Sequence, residues 1–291
     1  MGKEIQGVEG DTGWRKAIPE ARDRLQSRWL VGIVVPLLVV GVAAVYRPLT
    51  TASAVPLVCS FAFAAVVWLL RSATLPAASV GFLICAILAR VPTVWTGFDP
   101  LPVVRPAIPA LVALFVLTFA ATRFGRKKKE RRGVAEARSG RRASQIVANL
   151  GVAGLCALIG WYLGCIAALA EATADTVSSE VGQALGGPTW MVTTFRRVPS
   201  GKDGGVSLGG TIAGAVAAGV VVTAGSLHHA LWPDKALVFG AACAGPLFDS
   251  LLGATVERRG WLGNDLVNFC ATIFAATVPY VWLLARSRIA I

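Results

Sequence analysis

Five carboxylates lie inside or at the ends of long apolar runs, and they are the first candidates for chemistry: Glu171, Asp175, Glu180, Asp249 and Asp265. Acids within membrane segments are costly and usually face a polar interior with a partner. On a helix, Asp175 shares the face of Glu171, whereas Glu180 points about 140° away from Asp175. Carboxylates suit a divalent cation such as Mg²⁺, which proteins hold with one or two carboxylates together with substrate phosphates.

A glycine-rich basic segment follows the first acids, and its composition is typical of a phosphate site. Gly201, Gly204 and Gly205 allow backbone N–H groups to approach an anion. Ser207 precedes the next apolar run, and the N-terminus of a helix there is favourable for phosphate. Three charged donors accompany the glycines, at Arg196, Arg197 and Lys202. The segment lacks the GxxxxGK[ST] pattern of a P-loop, and an ordinary basic cytoplasmic turn is the alternative interpretation.

The last two acids occupy different positions in their apolar runs. Asp249 lies within a run and has small residues beside it. Asp265 lies at the start of a run between Asn264 and Asn268, which share a helix face through their i,i+4 spacing. We predict that Asp249 and the two asparagines contribute to a phosphate or metal site. Asp265 either joins them or is a first-turn acid that stabilises its helix by at most about 1 kcal/mol.

The composition excludes a soluble enzyme. The chain has 291 residues, of which 55% are hydrophobic and 15% are charged, and its formal net charge is +12. Soluble domains contain about 45–50% apolar and about 25% charged residues. We therefore predict an all-α, polytopic bundle of membrane helices, because a spanning backbone must satisfy its own hydrogen bonds. Basic cytoplasmic loops explain the positive charge, so no nucleic-acid partner is expected.

Seven apolar runs are each long enough to span a bilayer or nearly so: roughly 29–46, 54–70, 75–95, 106–122, 206–227, 236–255 and 265–285. The stretch 145–185 would form a helix about 60 Å long, twice the hydrocarbon thickness. We therefore predict two helices there, with a reversal near 158–161 where Gly160 breaks the helix. The total is about nine transmembrane helices, and a single span over 145–185 would give eight.

The positive charges predict the orientation. Ten of the twenty residues in 123–142 are Lys or Arg, which is typical of a cytoplasmic loop. We predict a cytoplasmic N-terminal segment (1–28), a four-helix membrane scaffold (29–122), this basic loop, and a catalytic membrane region (143–291). With nine spans the segment 186–205 is cytoplasmic, and with eight it is outside. We favour nine, in a multi-pass protein of the cell (inner or plasma) membrane with a cytoplasmic N-terminus.

Five stretches carry a family resemblance: TRFGRKKKE…GRRASQIVAN, ADTVSSEVG, FRRVPSGKDGGVSLGGT, DSLLGAT and NDLVNF, between about 123 and 285. Their sequences and order resemble the integral-membrane phytyl-phosphate kinase family, which includes animal transmembrane protein nineteen. The resemblance implies phosphorylation of an isoprenyl monophosphate, such as phytyl phosphate, to the diphosphate by a nucleoside triphosphate. It implies metal- or phosphate-organising roles for Asp175, Glu180, Asp249 and Asp265. It places Arg197, Gly201, Gly204, Gly205 and Asn268 near the phosphates.

One departure and two alternatives accompany this resemblance. The family more often has Gly-Thr where this chain has Gly201-Lys202. It is distantly similar to dolichol kinases and phosphatidate cytidylyltransferases, which favour CTP. Our hypothesis is a kinase that uses CTP or ATP, with Mg²⁺ held by Asp175 and Asp249 and the lipid tail between helices. A secondary transporter with midplane acids and a CTP-dependent cytidylyltransferase-like lipid enzyme are the alternatives.

Overall fold

The fold is a bundle of helices, seen in a computed structural model that describes residues 18–90, 107–226 and 232–289. The helices are α1 (Glu20–Val45), α2 (Thr51–Leu69), α3 (Leu75–Arg90), α4 (Ala107–Arg123), α5 (Arg126–Arg131), α6 (Ala143–Leu158), α7 (Tyr162–Leu185), α8 (Leu208–Gly225), α9 (Trp232–Leu252) and α10 (Asn264–Ile289). The last turns of α9 continue as a π-helix over Gly253–Glu257. Some predicted positions lie outside the described residues: 91–95 and 106 in two of the predicted spans, and 1–17 in the N-terminal segment.

One end of the bundle, here named the loop end, contains the start of α1 and four of the connections: residues 70–74, 124–142, 186–207 and 258–263. Arg22 at the start of α1 donates to the Gly260 carbonyl at 2.9 Å. The N–H of Arg141 donates to the Ser72 carbonyl at 2.9 Å, and Arg132 reaches the Gln183 carbonyl at 2.7 Å. Segments 124–142 and 186–207 therefore lie at the same end, as the nine-helix interpretation requires.

Four of the described helical segments are long and apolar enough to cross a membrane by themselves: Glu20–Val45, Leu208–Gly225, Asp234–Glu257 and Asn264–Trp282. Four others are apolar but shorter: Ser53–Leu69, Leu75–Arg90, Ala107–Arg123 and Ala143–Leu158. A helical membrane protein is therefore supported, and nine crossings stay a prediction. The boundaries predicted for the four regions of the chain also stay predictions, although the basic loop contains the short helix α5.

The stretch 145–185 forms two helices, as the length argument predicts. α6 ends at Leu158, Gly160 adopts a left-handed conformation with φ of 72°, and α7 begins at Tyr162. The two helices pack against each other. α7 ends where Gly186, also left-handed, donates its N–H to the Gly182 carbonyl at 3.0 Å. A glycine adopts this conformation without the steric cost that a side chain brings.

A small sheet departs from the all-α prediction. It consists of β1 (Thr189–Met191), β2 (Arg197–Val198) and β3 (Gly205–Ser207), antiparallel in the order β2-β1-β3. Gly186, Gly187 and Pro188 stop α7, and the following Thr, Trp and Val residues favour extended backbone. The prediction treated 186–205 only as a loop, because these strands are too short for alternation to be visible.

α7 is the central helix of the bundle and packs against α4, α6, α8, α9 and α10. Its contact with α8 is close because glycines of α8 face it. A Cβ atom at Gly214 would lie 2.7 Å from the Ala174 carbonyl oxygen and 2.9 Å from the Ser178 Cβ. Small residues allow two backbones to approach in this way in membrane proteins. The small-residue pattern Gly210–Gly214 therefore serves packing.

Gly214→Leu is expected to lower the melting temperature in detergent, because the new side chain pushes α8 away from α7. Overpacking of this kind costs about 1–3 kcal/mol. Gly219→Leu is the matched control on the same helix, since a Cβ there meets only the Phe239 ring edge at 3.6 Å. Equal melting temperatures for the two variants would contradict the close α7–α8 contact.

Candidate functional site

A polar cavity of about 300 Å³ lies at the loop end, between α6, α7, α8, α9, α10 and the segment 200–207. Most of the residues predicted for the site line it: Asp175, Glu180, Gly201, Lys202, Gly204, Gly205, Ser207, Asp249, Asn264 and Asn268. Four separate stretches of sequence thus meet in one place. We name it the acidic cavity.

Asp175 of α7 and Asp249 of α9 both line this cavity. They are close enough to interact electrostatically, and Asp249 also interacts with Asp203 and Glu257. With its amide nitrogen turned toward the carboxylate, Asn268 donates to Asp249 Oδ2 at 3.0 Å and to the Asn264 carbonyl at 3.2 Å. Carboxylates brought together in this way repel one another unless a cation lies between them or one of them takes up a proton.

The donor set suits Mg²⁺ bound together with a substrate. Among the described residues, no group of three or more His, Cys, Asp and Glu is arranged to hold a metal ion by itself. A site with two carboxylates is typical of Mg²⁺, which keeps several waters and takes further oxygens from substrate phosphates. Asp175 and Asp249 therefore fit the predicted metal role.

The glycine-rich segment is held tightly against α9. Gly204 adopts φ of 76°, and a Cβ atom there would lie 2.8 Å from the backbone of Ala254 in the π-helix. Two turns shape the segment: the N–H of Lys202 donates to the Pro199 carbonyl (3.3 Å), and that of Gly205 to the Lys202 carbonyl (2.9 Å). Lys202 is among the residues that line the cavity. Gly204 therefore allows the segment to approach the π-helix at the end of α9, and the predicted approach of these glycines to an anion stays a prediction.

The start of α8 faces the same cavity. Ser207 is the N-cap, and its hydroxyl accepts the Gly210 N–H at 3.3 Å. Gly210 and Thr211 of the first turn also line the cavity. The first N–H groups of a helix carry a partial positive charge and bind phosphate well. The cavity thus combines carboxylates for a cation with a lysine and a helix N-terminus for an anion.

Four of the candidate residues do not line the acidic cavity, and one of them, Glu171, is buried within α7. Arg197 is exposed on β2 and lines a shallow depression beside Arg132 and Gly186. Arg196 is exposed in the turn before it, where its carbonyl accepts the Met191 N–H at 2.9 Å. The hairpin β1–β2 carries both arginines away from the acids. Asp265 is 5% exposed in the first turn of α10 and accepts a 2.6 Å hydrogen bond from Ser27 of α1.

Glu180 has a partner that the sequence analysis did not identify. Lys129 of α5 is fully buried and forms an ion pair with Glu180. The same ammonium donates to the carbonyls of Ala121 (3.1 Å) and Thr122 (2.9 Å) in the last turn of α4. Its three donors are therefore all used. The carboxylate of Glu180 lies at the edge of the acidic cavity, tied to α4 and α5.

Several residues of the cavity were missed from the sequence: Glu136, Arg141, Gln145, Asn149, Asp203 and Glu257. Gln145 and Asn149 had a visible signal, because they form an i,i+4 polar pair inside an apolar run, and Asn149 donates to the Gln145 carbonyl at 2.8 Å. Arg141 had none, because it stands in a basic segment whose charge was attributed to orientation. Glu257 enters the cavity through the π-helix, which no sequence pattern indicated.

Comparison with known proteins places the chain among integral membrane proteins. The family model described as "Integral membrane protein DUF92" matches residues 58–276. The chloroplastic Protein VTE6 of Arabidopsis thaliana is 36% identical over 175 residues, which are 54% of this chain and 53% of that protein. This chain thus spans about half the length of that relative.

Two microbial relatives are matched over more of their length. An uncharacterized membrane protein of Synechocystis is 36% identical over 182 residues, 58% of this chain and 70% of that protein. One of Methanocaldococcus jannaschii is 35% identical over 177 residues, 58% of this chain and 72% of that protein. No solved structure matches the chain. The family resemblance drawn from the five stretches is confirmed, and the chain belongs to the integral membrane protein family DUF92.

Proposed function

We propose that the protein is a membrane kinase that phosphorylates an isoprenyl monophosphate to the diphosphate, using CTP or ATP and Mg²⁺. The observation that carries the proposal is the acidic cavity, in which Asp175 and Asp249 lie together with Lys202 and the N-terminus of α8. A cation site and an anion site side by side are what nucleoside triphosphate binding requires. The family resemblance and the similarity to VTE6 support the kinase class.

Each group of the cavity has a distinct role in this proposal. Asp175 and Asp249 would hold Mg²⁺, and Asn268 orients Asp249 through its 3.0 Å hydrogen bond. When bound, the cation neutralises charge on the nucleotide phosphates and fixes their orientation. Lys202 and the first N–H groups of α8 bind the phosphate oxygens. Arg196 and Arg197 were predicted to neutralise charge, and their exposed positions on the hairpin leave them, at most, a role in attracting nucleotide.

The reaction needs no general base. The phosphate of an isoprenyl monophosphate is largely a dianion at neutral pH, because the second pKa of a phosphate monoester is about 6. One of its oxygens attacks the γ-phosphorus, and a new P–O bond forms there. The bond from the γ-phosphorus to the β–γ bridging oxygen breaks, and its electron pair leaves with the nucleoside diphosphate. The protein contributes positioning and charge neutralisation, which suffice for phosphoryl transfer.

The proposal also includes a location and an orientation. Nucleoside triphosphates are cytosolic, so the loop end would lie on the cytoplasmic side of the cell membrane. The ten basic residues in 123–142 support this orientation.

Purified protein in detergent is expected to convert geranylgeranyl or phytyl monophosphate to the diphosphate in the presence of Mg²⁺ and labelled CTP or ATP. Chromatography of the labelled products measures both the lipid diphosphate and the released nucleotide. Release of nucleoside diphosphate supports the kinase. Release of pyrophosphate identifies a cytidylyltransferase-like enzyme instead, and ion-coupled flux in liposomes without nucleotide identifies a transporter. No diphosphate across several prenyl lengths would overturn the proposal.

A further inference from the structure

A second cavity lies beside the acidic cavity, within the half of the chain that was predicted to be a scaffold. It encloses about 240 Å³ between α2, α3, α4, α6 and the segment 136–141. Its walls are mainly apolar and include Phe63, Leu111, Phe115, Ala77 and Gly81. We name it the apolar cavity. Nothing in the proposed chemistry of nucleotide and metal requires an apolar space of this kind.

Several arginines also line the apolar cavity, and most of them have partners within the protein. Arg123 lies 3.5 Å from the centroid of the Phe119 ring and donates to the Leu70 carbonyl at 3.1 Å. Arg126 and Arg138 donate to Glu130 at 3.1 and 3.0 Å, and these hydrogen bonds lower the pKa of Glu130. These three arginines are therefore already held by contacts within the protein.

Arg141 differs from the other arginines because it borders both cavities. Its backbone is fixed to the α2–α3 turn: its N–H donates to the Ser72 carbonyl at 2.9 Å, and its carbonyl accepts the Thr74 N–H at 3.0 Å. Its guanidinium donates to Thr176 Oγ1 at 3.3 Å and forms no ion pair with any described residue. Because a guanidinium has five N–H donors, most of its binding capacity remains available.

We propose that the apolar cavity binds the phosphate-proximal part of a single-chain isoprenoid and that Arg141 binds its phosphate. The inference rests on the proposed function and specifies where the lipid substrate lies. At about 240 Å³ the cavity is smaller than the about 300–1,000 Å³ typical of ligand pockets. It therefore encloses only the first part of the chain, and the rest lies between the helices and lipid.

The arrangement explains how substrate and nucleotide meet. Arg141 interacts electrostatically with Asp175 across the boundary between the two cavities. A phosphate bound by Arg141 would have some of its oxygens on the guanidinium. Its remaining oxygen would face the acidic cavity, where the nucleotide is proposed to bind. A planar guanidinium forms paired hydrogen bonds with phosphate, so the lipid oxygen is directed toward the nucleotide.

Gly81 offers a variant whose new side chain begins in open space beside the cavity. It lies on α3 and lines the apolar cavity, yet a Cβ atom built on it meets nothing within 4 Å. Gly81→Leu therefore occupies space that we propose for the isoprenoid tail of the lipid. Gly32 on α1 is the matched control, because it is also helical and open within 4 Å but does not line the cavity.

Binding is tested without nucleotide, by the rise in melting temperature that geranylgeranyl monophosphate causes in detergent-solubilised protein. Wild type and Gly32→Leu should bind equally, and Gly81→Leu should bind at least about tenfold more weakly through exclusion of the chain. Arg141→Gln should bind the monophosphate no better than geranylgeraniol. Equal affinity of Gly81→Leu and wild type would overturn the proposal. Equal stabilisation by phosphatidate would also overturn it, because the cavity would then be a general anionic-lipid site.

A second measurement uses the wild-type chain alone. A C20 prenyl phosphate with a photoreactive group near its phosphate should label α2, α3 or α4 at residues that line the apolar cavity. If the label is found only on other surfaces, the apolar cavity is not the binding site of the lipid. If the kinase assay fails but the binding pattern is as expected, the proposed function is rejected and the apolar cavity remains the proposed lipid-binding site. If Gly81→Leu converts the C20 substrate as fast as wild type does, the apolar cavity is rejected as the lipid site and the proposed function is unaffected.

Discussion

Asp249→Asn is expected to lose kinase activity and, at the same time, to gain thermal stability when no Mg²⁺ is present. Asp249 is one of two carboxylates proposed to hold the cation, and a preorganised electrostatic contact of this kind is worth about 10²–10³-fold in rate. Asparagine keeps the shape and can still accept the hydrogen bond from Asn268. The variant therefore removes the ionisable group and changes little else.

The gain in stability follows from repulsion within the acidic cavity. Asp249 interacts with Asp175, Glu257 and Asp203, all of the same sign. Removal of one charge relieves this repulsion, and each relieved kcal/mol raises the melting temperature by about 2–4 °C in a domain of 150–250 residues. Mg²⁺ should raise the melting temperature of wild type more than that of the variant.

The same two measurements, turnover and melting temperature with and without Mg²⁺, apply to a control on the same helix. Asp234→Asn changes the first turn of α9, and Asp234 does not line the acidic cavity. This control should keep its activity and its response to Mg²⁺. Lost activity in Asp249→Asn accompanied by a lower melting temperature would indicate misfolding, and retained activity would remove Asp249 from the site.

Lys129→Met is expected to cause the largest loss of stability among single substitutions at the loop end. The ammonium of Lys129 is fully buried and joins α5 to Glu180 of α7 and to the last turn of α4. Removal of one partner leaves the other charge buried and unpaired, which costs about 3–5 kcal/mol. The melting temperature in detergent should fall by about 10 °C.

A neighbouring lysine provides the control for this loss. Lys128 is adjacent in sequence but exposed, so Lys128→Met should change stability by less than about 0.5 kcal/mol. The double variant Lys129→Met with Glu180→Met should recover much of the stability, because well-packed apolar residues often replace a buried ion pair at little cost. Similar melting temperatures for Lys129→Met and Lys128→Met would show that the buried pair contributes little.

The double variant also tests the predicted role of Glu180. The sequence resemblance gave this carboxylate a metal- or phosphate-organising role. Its ion pair with Lys129 favours a structural one. A folded double variant that still forms the lipid diphosphate would establish the structural role, and an inactive one would support the predicted chemistry.

The acids of the site could be found from the sequence because their cost in a membrane makes them rare. Asp175 and Asp249 lie in apolar runs, where a charge without a purpose is disfavoured, and they meet in the acidic cavity. The helix break at Gly160 and the end of α7 at Gly186 were equally accessible, since helix length and glycine conformation are local properties. These features depend on few residues close in sequence.

The basic residues were harder to interpret, because positive charges are abundant and serve orientation. Nothing local distinguishes Lys129, which is buried, from Lys128, which is exposed. Arg141 reaches both cavities only because the α2–α3 turn holds its backbone. Arg196 and Arg197 were expected near phosphate, but the hairpin β1–β2 directs them elsewhere. Each of these positions depends on contacts between segments far apart in sequence.

The central position of α7 has a consequence for how the protein is made. Glu171 is 1% exposed within this helix, and Asp175 follows it by one turn. During insertion by a translocon, an acid at the middle of a helix costs about 2.5–3.5 kcal/mol, and each large apolar residue returns only about 0.3–0.6 kcal/mol. α7 contains mostly small residues besides its acids, so it does not partition stably into lipid alone. Its entry depends on α6 before it and is completed when α8, α9 and α10, synthesised later, surround its polar face. A ribosome-bound chain that ends shortly after Leu185 should therefore hold α7 in the membrane poorly, whereas the complete chain should hold it firmly.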